Sequence, residues 1–93
     1  MSSGARYKFR LYVTGDSPNS CQAISNLRAL CREHLPERHE IEIVDVLTDP
    51  KRALADGVLL TPTLVKLSPT PIRKIIGNLS QTQTVLVALA LPD

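Results

Sequence analysis

Tryptophan is absent from this chain, and its only aromatic residues are two tyrosines and one phenylalanine. So few rings leave no aromatic and basic surface of the kind that stacks against and neutralises nucleic acid. Charge is equally unpolarised: eleven Lys and Arg stand against nine Asp and Glu, a formal net charge of +2, with the signs interspersed. Such a balance keeps a domain soluble and directs it to no polyanion and no membrane surface. No apolar run reaches the roughly 18 residues of a membrane-spanning helix. Met1-Ser2-Ser3-Gly4-Ala5 is too short and too polar for a signal peptide, which makes the cytoplasm the expected compartment.

Cysteine is scarce as well. Cys21 and Cys31 are ten residues apart with no Cys-x-x-Cys pair. On one helix that separation is about 15 Å along the axis, too far for a disulfide between them. Neither they nor His34 and His39 have zinc-ligand spacing, so no metal and no cofactor is expected. Cys31 reads as an apolar packing residue. Cys21 falls in the first turn of the same helix, where the dipole favours a thiolate, and a peroxidatic or glutathione-handling thiol there is the alternative.

What the chain does have is one small domain's worth of short elements. Ninety-three residues with 43% hydrophobic content can bury a single core. Residues 1–6 are expected to form a disordered tail and residues 7–91 the domain. Tyr7, Phe9, Leu11 and Val13 alternate with Lys8, Arg10 and Tyr12, a strand with two unlike faces. Ser17 with Pro18 opens a helix carrying Ile24, Leu27, Cys31 and Leu35 at helical spacing, and Pro36 stops it. Ile41 to Leu47 suits a strand beside the first, completing a βαβ unit. Pro50 and Gly57 bracket a short helix over 51–56. Leu64 to Leu67 and Ile72 to Ile76 read as a hairpin around Ser68-Pro69-Thr70-Pro71. Ser80 and Gln83 form a capping-box pattern opening a last helix over 81–91. The expected order is βαβαββα.

The second half reads in two ways. Val85-Leu86-Val87-Ala88-Leu89-Ala90-Leu91 is apolar on every side, so periodicity does not separate buried strand from buried helix. Its valines favour strand, its leucines and alanines helix. Ile72, Ile75 and Ile76 likewise have helical spacing behind Pro71, although they also suit a strand.

Thr61-Pro62-Thr63, just ahead of a strand, resembles the cis-proline site of thioredoxin-like folds, but the loop that would face it reads Gly15-Asp16-Ser17-Pro18-Asn19-Ser20 without a catalytic cysteine pair. A wider resemblance follows. Tyr12-Val13 with Gly15 and Ser17-Pro18-Asn19-Ser20, Val44-Asp45-Val46-Leu47 with Pro50, Thr61-Pro62-Thr63-Leu64, and the run from Pro71 to Ser80 are together similar to the KaiB family of circadian clock proteins, from about Tyr7 to Leu89. That resemblance implies a βαβ half common to two folds, residues 7–47, and a switching half, residues 48–91. The whole is then either thioredoxin-like or a βαββααβ resting form, a homo-oligomer such as a dimer or tetramer.

The resemblance further implies a regulator and no enzyme. Its partners would be the N-terminal ATPase ring of the KaiC hexamer, KaiA where present, and a sensor histidine kinase that is displaced. Lys66, Arg73 and Lys74 match basic family positions and are the expected electrostatic contacts, set against the reading of a solvated strand face. Pro62, Pro69, Pro71, Gly77 and Asn78 mark the switching region, with Pro62 the expected cis proline in a structural role. Asn78 stands where the family is commonly acidic, Gln22 and Glu42 where basic residues are common, and Gly57 where lysine is frequent. The acidic tail of many members is missing, which favours the thioredoxin-like form.

Overall fold

A computed structural model describes residues 6–91; the tail expected over 1–6 lies, Arg6 apart, outside the described residues. The elements run β1 (Tyr7–Val13), α1 (Pro18–His34), β2 (His39–Asp45), α2 (Pro50–Ala55), β3 (Thr63–Ser68), β4 (Arg73–Ile76) and α3 (Thr82–Ala88), the expected βαβαββα order. One sheet of order β2-β1-β3-β4 carries them, with β1 parallel to β2 and the remaining pairs antiparallel.

Alternation divides the sheet's side chains between two cores. On one face Phe9, Leu11, Val13 and Leu64 pack with Ala23, Leu27, Leu30 and Cys31 of α1 and with Val85 and Leu86 of α3. On the other, Tyr12, Val44 and Val65 meet Ala53 of α2 and Val58. Each fully buried leucine contributes about 1.5 to 3 kcal/mol relative to exposure. Helix α1 starts as its sequence dictates: Pro18 occupies the first turn, and the Ser17 hydroxyl accepts the Ser20 amide at 3.3 Å.

Several boundaries differ from expectation. Strand β2 starts and ends two residues earlier, because Asp45 closes it: its carboxylate accepts the amides of Gly15 at 3.1 Å and Leu47 at 2.9 Å, and its carbonyl accepts those of Thr48 and Asp49. Helix α2 begins at Pro50 itself and ends at Ala55. Strand β4 begins at Arg73, leaving Ile72 in the hairpin connection. The Ser80 capping box does not form. Gln81 is the N-cap of α3 without a side-chain bond, and the Ser80 amide donates instead to Asn78 Oδ1 at 3.1 Å.

Helices α2 and α3 end in the same motif. The Gly57 amide donates to Leu54 O and that of Val58 to Ala53 O, with Gly57 at φ 71°. After α3 the Ala90 amide donates to Val87 O and that of Leu91 to Leu86 O, and here alanine takes the left-handed turn at φ 56°. For a residue with a Cβ that conformation costs about 1 to 2 kcal/mol.

Candidate partner-binding site

The residues the sequence singles out fall into three places. Thr61–Pro62 is cis, and Pro62 is buried at the mouth of β3; Ser68–Pro69 and Thr70–Pro71 are also cis and lie in the β3–β4 connection. The Gly77 amide, at φ 128°, donates to Pro62 O at 2.9 Å, so these two residues meet at the open end of the β3–β4 hairpin. A side chain at Gly77 would have open space around it but a strained backbone.

The basic trio is not one surface. Lys74 is exposed and its Nζ donates to Asp56 O at 2.5 Å. Arg73 is exposed on the opposite face of β4. Lys66 corrects the expectation of a solvated strand face: it is 1% exposed, beside Phe9 and over the Tyr7 ring at 5.9 Å. The cause is register, because Lys66 follows Leu64 by two residues and shares its inward face. Burial, and secondarily the charge of Arg73, push its pKa down.

Asn78 and Gln22 touch each other. Asn78 Nδ2 donates to Gln22 Oε1 at 2.9 Å, while Asn26 Nδ2 donates to Asn78 O at 2.7 Å. A neutral amide clasp thus ties α1 to the turn before α3, whose Leu79 is buried at φ 65°.

Sequence reasoning missed the densest polar feature. Arg10 Nε donates to Glu42 Oε1 and Arg10 Nη1 to Asp56 Oδ2, both at 2.9 Å; Arg52 Nη2 donates to Glu42 Oε2 at 2.7 Å; and the buried Tyr12 hydroxyl donates to Asp56 Oδ2. The bond from Tyr12, with help from Arg10, holds the Asp56 carboxyl below its usual pKa, and hydrogen bonds from Arg10 and then Arg52 do the same for Glu42. Burial, then Asp56, raises Tyr12, so the proton stays on the phenol. Parallel pairing of Arg10 with Glu42 was the available signal, but only once the register of β1 and β2 is known. Also unforeseen are the exposed leucines on and beside α2, namely Leu54 on the helix and Leu47, Leu59 and Leu60 around it.

The start of α1 has no dithiol. Ser20, fully buried, accepts the Thr14 amide at 3.0 Å and the Ser17 hydroxyl at 2.8 Å, and the Thr14 and Thr61 hydroxyls bond each other at 2.5 Å. Cys21 is exposed and its thiol points to Asp16 O at 3.6 Å, whereas Cys31 is buried and burial pushes its pKa up to about 12. Nothing in this arrangement favours thiol chemistry. Ellman's reagent at neutral pH is expected to titrate one thiol in the native protein and two in denaturant; a Cys21→Ser variant showing a fast native thiol would contradict the burial of Cys31. Among the described residues no group of three His, Cys, Asp or Glu could hold a metal ion, and no helix is long and apolar enough to cross a membrane.

The architecture defines a thioredoxin-like domain without the dithiol. The structure superposes on the N-terminal domain of Synechococcus elongatus SasA with a TM-score of 0.75 at 16% identity, covering 97% of this chain and 89% of that one. A thioredoxin of Fasciola hepatica gives 0.73 at 17% identity, over 95% and 83% of the two chains. The sequence narrows the class. The KaiB domain family matches residues 10–91. The circadian clock protein KaiB3 of Synechocystis sp. is 45% identical over 84 residues, 90% of this chain and 82% of that protein. The circadian clock oscillator protein KaiB of Prochlorococcus marinus strain MIT 9313 is 42% identical over 91 residues, 98% and 76% of the two. The chain belongs to the KaiB family of circadian clock proteins.

Proposed function

We propose that this chain is a non-enzymatic cytoplasmic clock regulator that docks, in its thioredoxin-like form, on the N-terminal ATPase ring of a KaiC hexamer. It captures KaiA where that protein is present and competes with a sensor histidine kinase for the ring. The observation that carries this reading is the packing of residues 48–91 in a KaiB-family chain: hairpin and α3 complete a thioredoxin-like domain of the same shape as the SasA N-terminal domain. Two proteins of one shape can compete for one surface. The exposed leucines on and beside α2 add apolar area of the kind that protein partners cover.

Residues 48–91 exchange, in this reading, with a βαββααβ resting form that assembles as a dimer or tetramer. Were the docking form only about 1% of the population, apparent affinity would fall about 100-fold and the exchange would gate association. With the thioredoxin-like form dominant, binding to a KaiC ring is expected without a slow lag. Pull-down and stopped-flow association with a KaiC hexamer, with and without ATP, test this. Absence of binding in both conditions overturns the function, and a lag that a faster-switching variant removes overturns the dominance of this form.

A further inference from the structure

Between α1 and the edge strand β2 lies an open cleft of about 470 Å³, lined by Arg28, Arg32, His39 and Ile41. Arg28 and Arg32 stand four residues apart on α1, so both leave the helix on one stripe, about 5 to 6 Å apart at Cβ. Both are exposed, and among the described residues neither makes an ion pair. Strand alternation explains why no carboxylate answers them. His39 and Ile41 face α1, whereas Glu40 and Glu42 take the other face of the sheet, where Arg6, Arg10 and Arg52 engage them. Glu33 follows Arg32 directly but lies about 100° further round the helix. His39 supplies a third side. Its Nδ1 is 2.8 Å from Leu35 O, and a carbonyl only accepts, so Nδ1 carries the proton and Nε2 is the nitrogen left over for the cleft. Ile41, half-buried against the core, is the apolar floor.

Like charges at i and i+4 of a helix repel. An oxyanion held between the two guanidiniums removes that cost and adds charge-assisted hydrogen bonds, which are stronger than neutral ones. A carboxylate would bring two oxygens in one plane and a single charge. A phosphate monoester brings three oxygens on a tetrahedron and a charge of about −1.5 to −2 near neutral pH. Donors on three sides and two permanent positive charges match the second anion better. His39 Nε2 accepts a hydrogen bond from the P–OH of the monoanion or, when protonated, donates one to the dianion. Ile41 offers the carbon side of an ester an apolar surface that inorganic phosphate cannot use.

We propose that the α1–β2 cleft is a binding site for a small phosphate monoester, whose phosphoryl group is held by Arg28, Arg32 and His39. The site lies wholly in the β1–α1–β2 half and is independent of the ring-docking reading. Phenyl phosphate and inorganic phosphate, titrated separately into the isotope-labelled chain, are expected to give saturable NMR shifts at Arg28 Nε, Arg32 Nε and the His39 ring. Phenyl phosphate should bind more tightly than inorganic phosphate, and acetate more weakly than either. Arg28→Gln and Arg32→Gln are each expected to weaken phosphate binding about tenfold. Both should leave the melting temperature unchanged or raised, because the side chains are exposed and repel each other. Lys51→Gln removes the same charge from an exposed position of α2 and is expected to leave binding unchanged.

Shifts that never saturate, or a loss from Lys51→Gln equal to that from the arginine variants, reduce the effect to general charge screening and overturn the site. Saturable binding that both arginine variants retain in full places the anion elsewhere and overturns it as well. Acetate binding as tightly as phosphate overturns the phosphoryl assignment. A phosphoserine tripeptide that binds more tightly than phenyl phosphate overturns the small ester as occupant and moves the phosphoryl group to a modified protein. Both arginine variants are expected to bind a KaiC ring as the wild-type chain does, so loss of the site leaves the proposed function standing and loss of ring docking leaves the site standing.

Discussion

Leu86→Ala is expected to cost about 3 kcal/mol of stability, while Val87→Ala, one residue on, changes it by no more than about 0.5 kcal/mol. The contrast follows from the face each presents. Val85, Leu86 and Leu89 are 2, 4 and 0% exposed, and Val87 is 79% exposed. A helix brings residues 85, 86 and 89 to one side and turns 87 away; a strand would put 85, 87 and 89 together and 86 opposite. Leu86→Ala removes buried methyl groups and leaves a cavity that the surrounding packing closes only in part. Val87→Ala removes only exposed methyl groups and exchanges a β-branched residue for a better helix former. For a domain of this size the first change should lower the melting temperature by more than about 10 °C. Circular dichroism melts of the two variants check it. A strand packing of residues 85–89 would reverse their order, so the pair also reports whether these residues pack as helix or as strand in solution.

The order of the elements was legible in the sequence because their punctuation is local. Ser17 and Pro18 start α1, Pro50 and Gly57 bracket α2, and the prolines at 69 and 71 interrupt β3 and β4 just where the hairpin turns. The nature of residues 85–91 was not legible, since an all-apolar segment has no periodicity to read and only the partner surface of β1, β3 and α1 selects the helix. The capping box failed for a related reason. Asn78 claims the Ser80 amide first, and that residue is itself fixed by Gln22 and Asn26, more than fifty positions upstream. Of the basic candidates, Lys74 and Arg73 are exposed as their charge suggests, whereas Lys66 is buried because its face depends on strand register, which the sequence does not show. The ion network around Asp56 was invisible for the same cause: its members lie on β1, β2 and α2, at separations of 32 and 46 residues from Arg10.

Asp56→Ala is expected to cost about 2 to 3 kcal/mol, an unusually large effect for a side chain that is partly exposed. The loss has two sources. The Tyr12 hydroxyl, on a fully buried residue, gives up its carboxylate acceptor and retains only Arg52 O at 3.3 Å, and Arg10 gives up one of its two anionic partners. Asp56→Asn should recover part of the loss, since its amide oxygen can still accept from Tyr12. The pH dependence has a definite sign. The Asp56 and Glu42 carboxyls are held below their ordinary values in the folded state, so both bind protons less readily there than in the unfolded chain. Their stabilisation is fully present above the ordinary carboxylate range and is lost as pH falls through the folded values. Urea midpoints measured from neutral pH to below about pH 4 should therefore fall for the wild-type chain and fall less steeply for Asp56→Asn; parallel curves would show that Asp56 contributes no linked proton. The position of the network gives the result its weight. Arg10, Tyr12 and Glu42 belong to the β1–α1–β2 half, and Arg52, Asp56 and Lys74 to the half proposed to switch, so the network fastens the second half in its thioredoxin-like packing. Under the ring-docking reading, a chain loosened at Asp56 should populate that packing less and lose apparent affinity in proportion, although Asp56 itself need touch no partner.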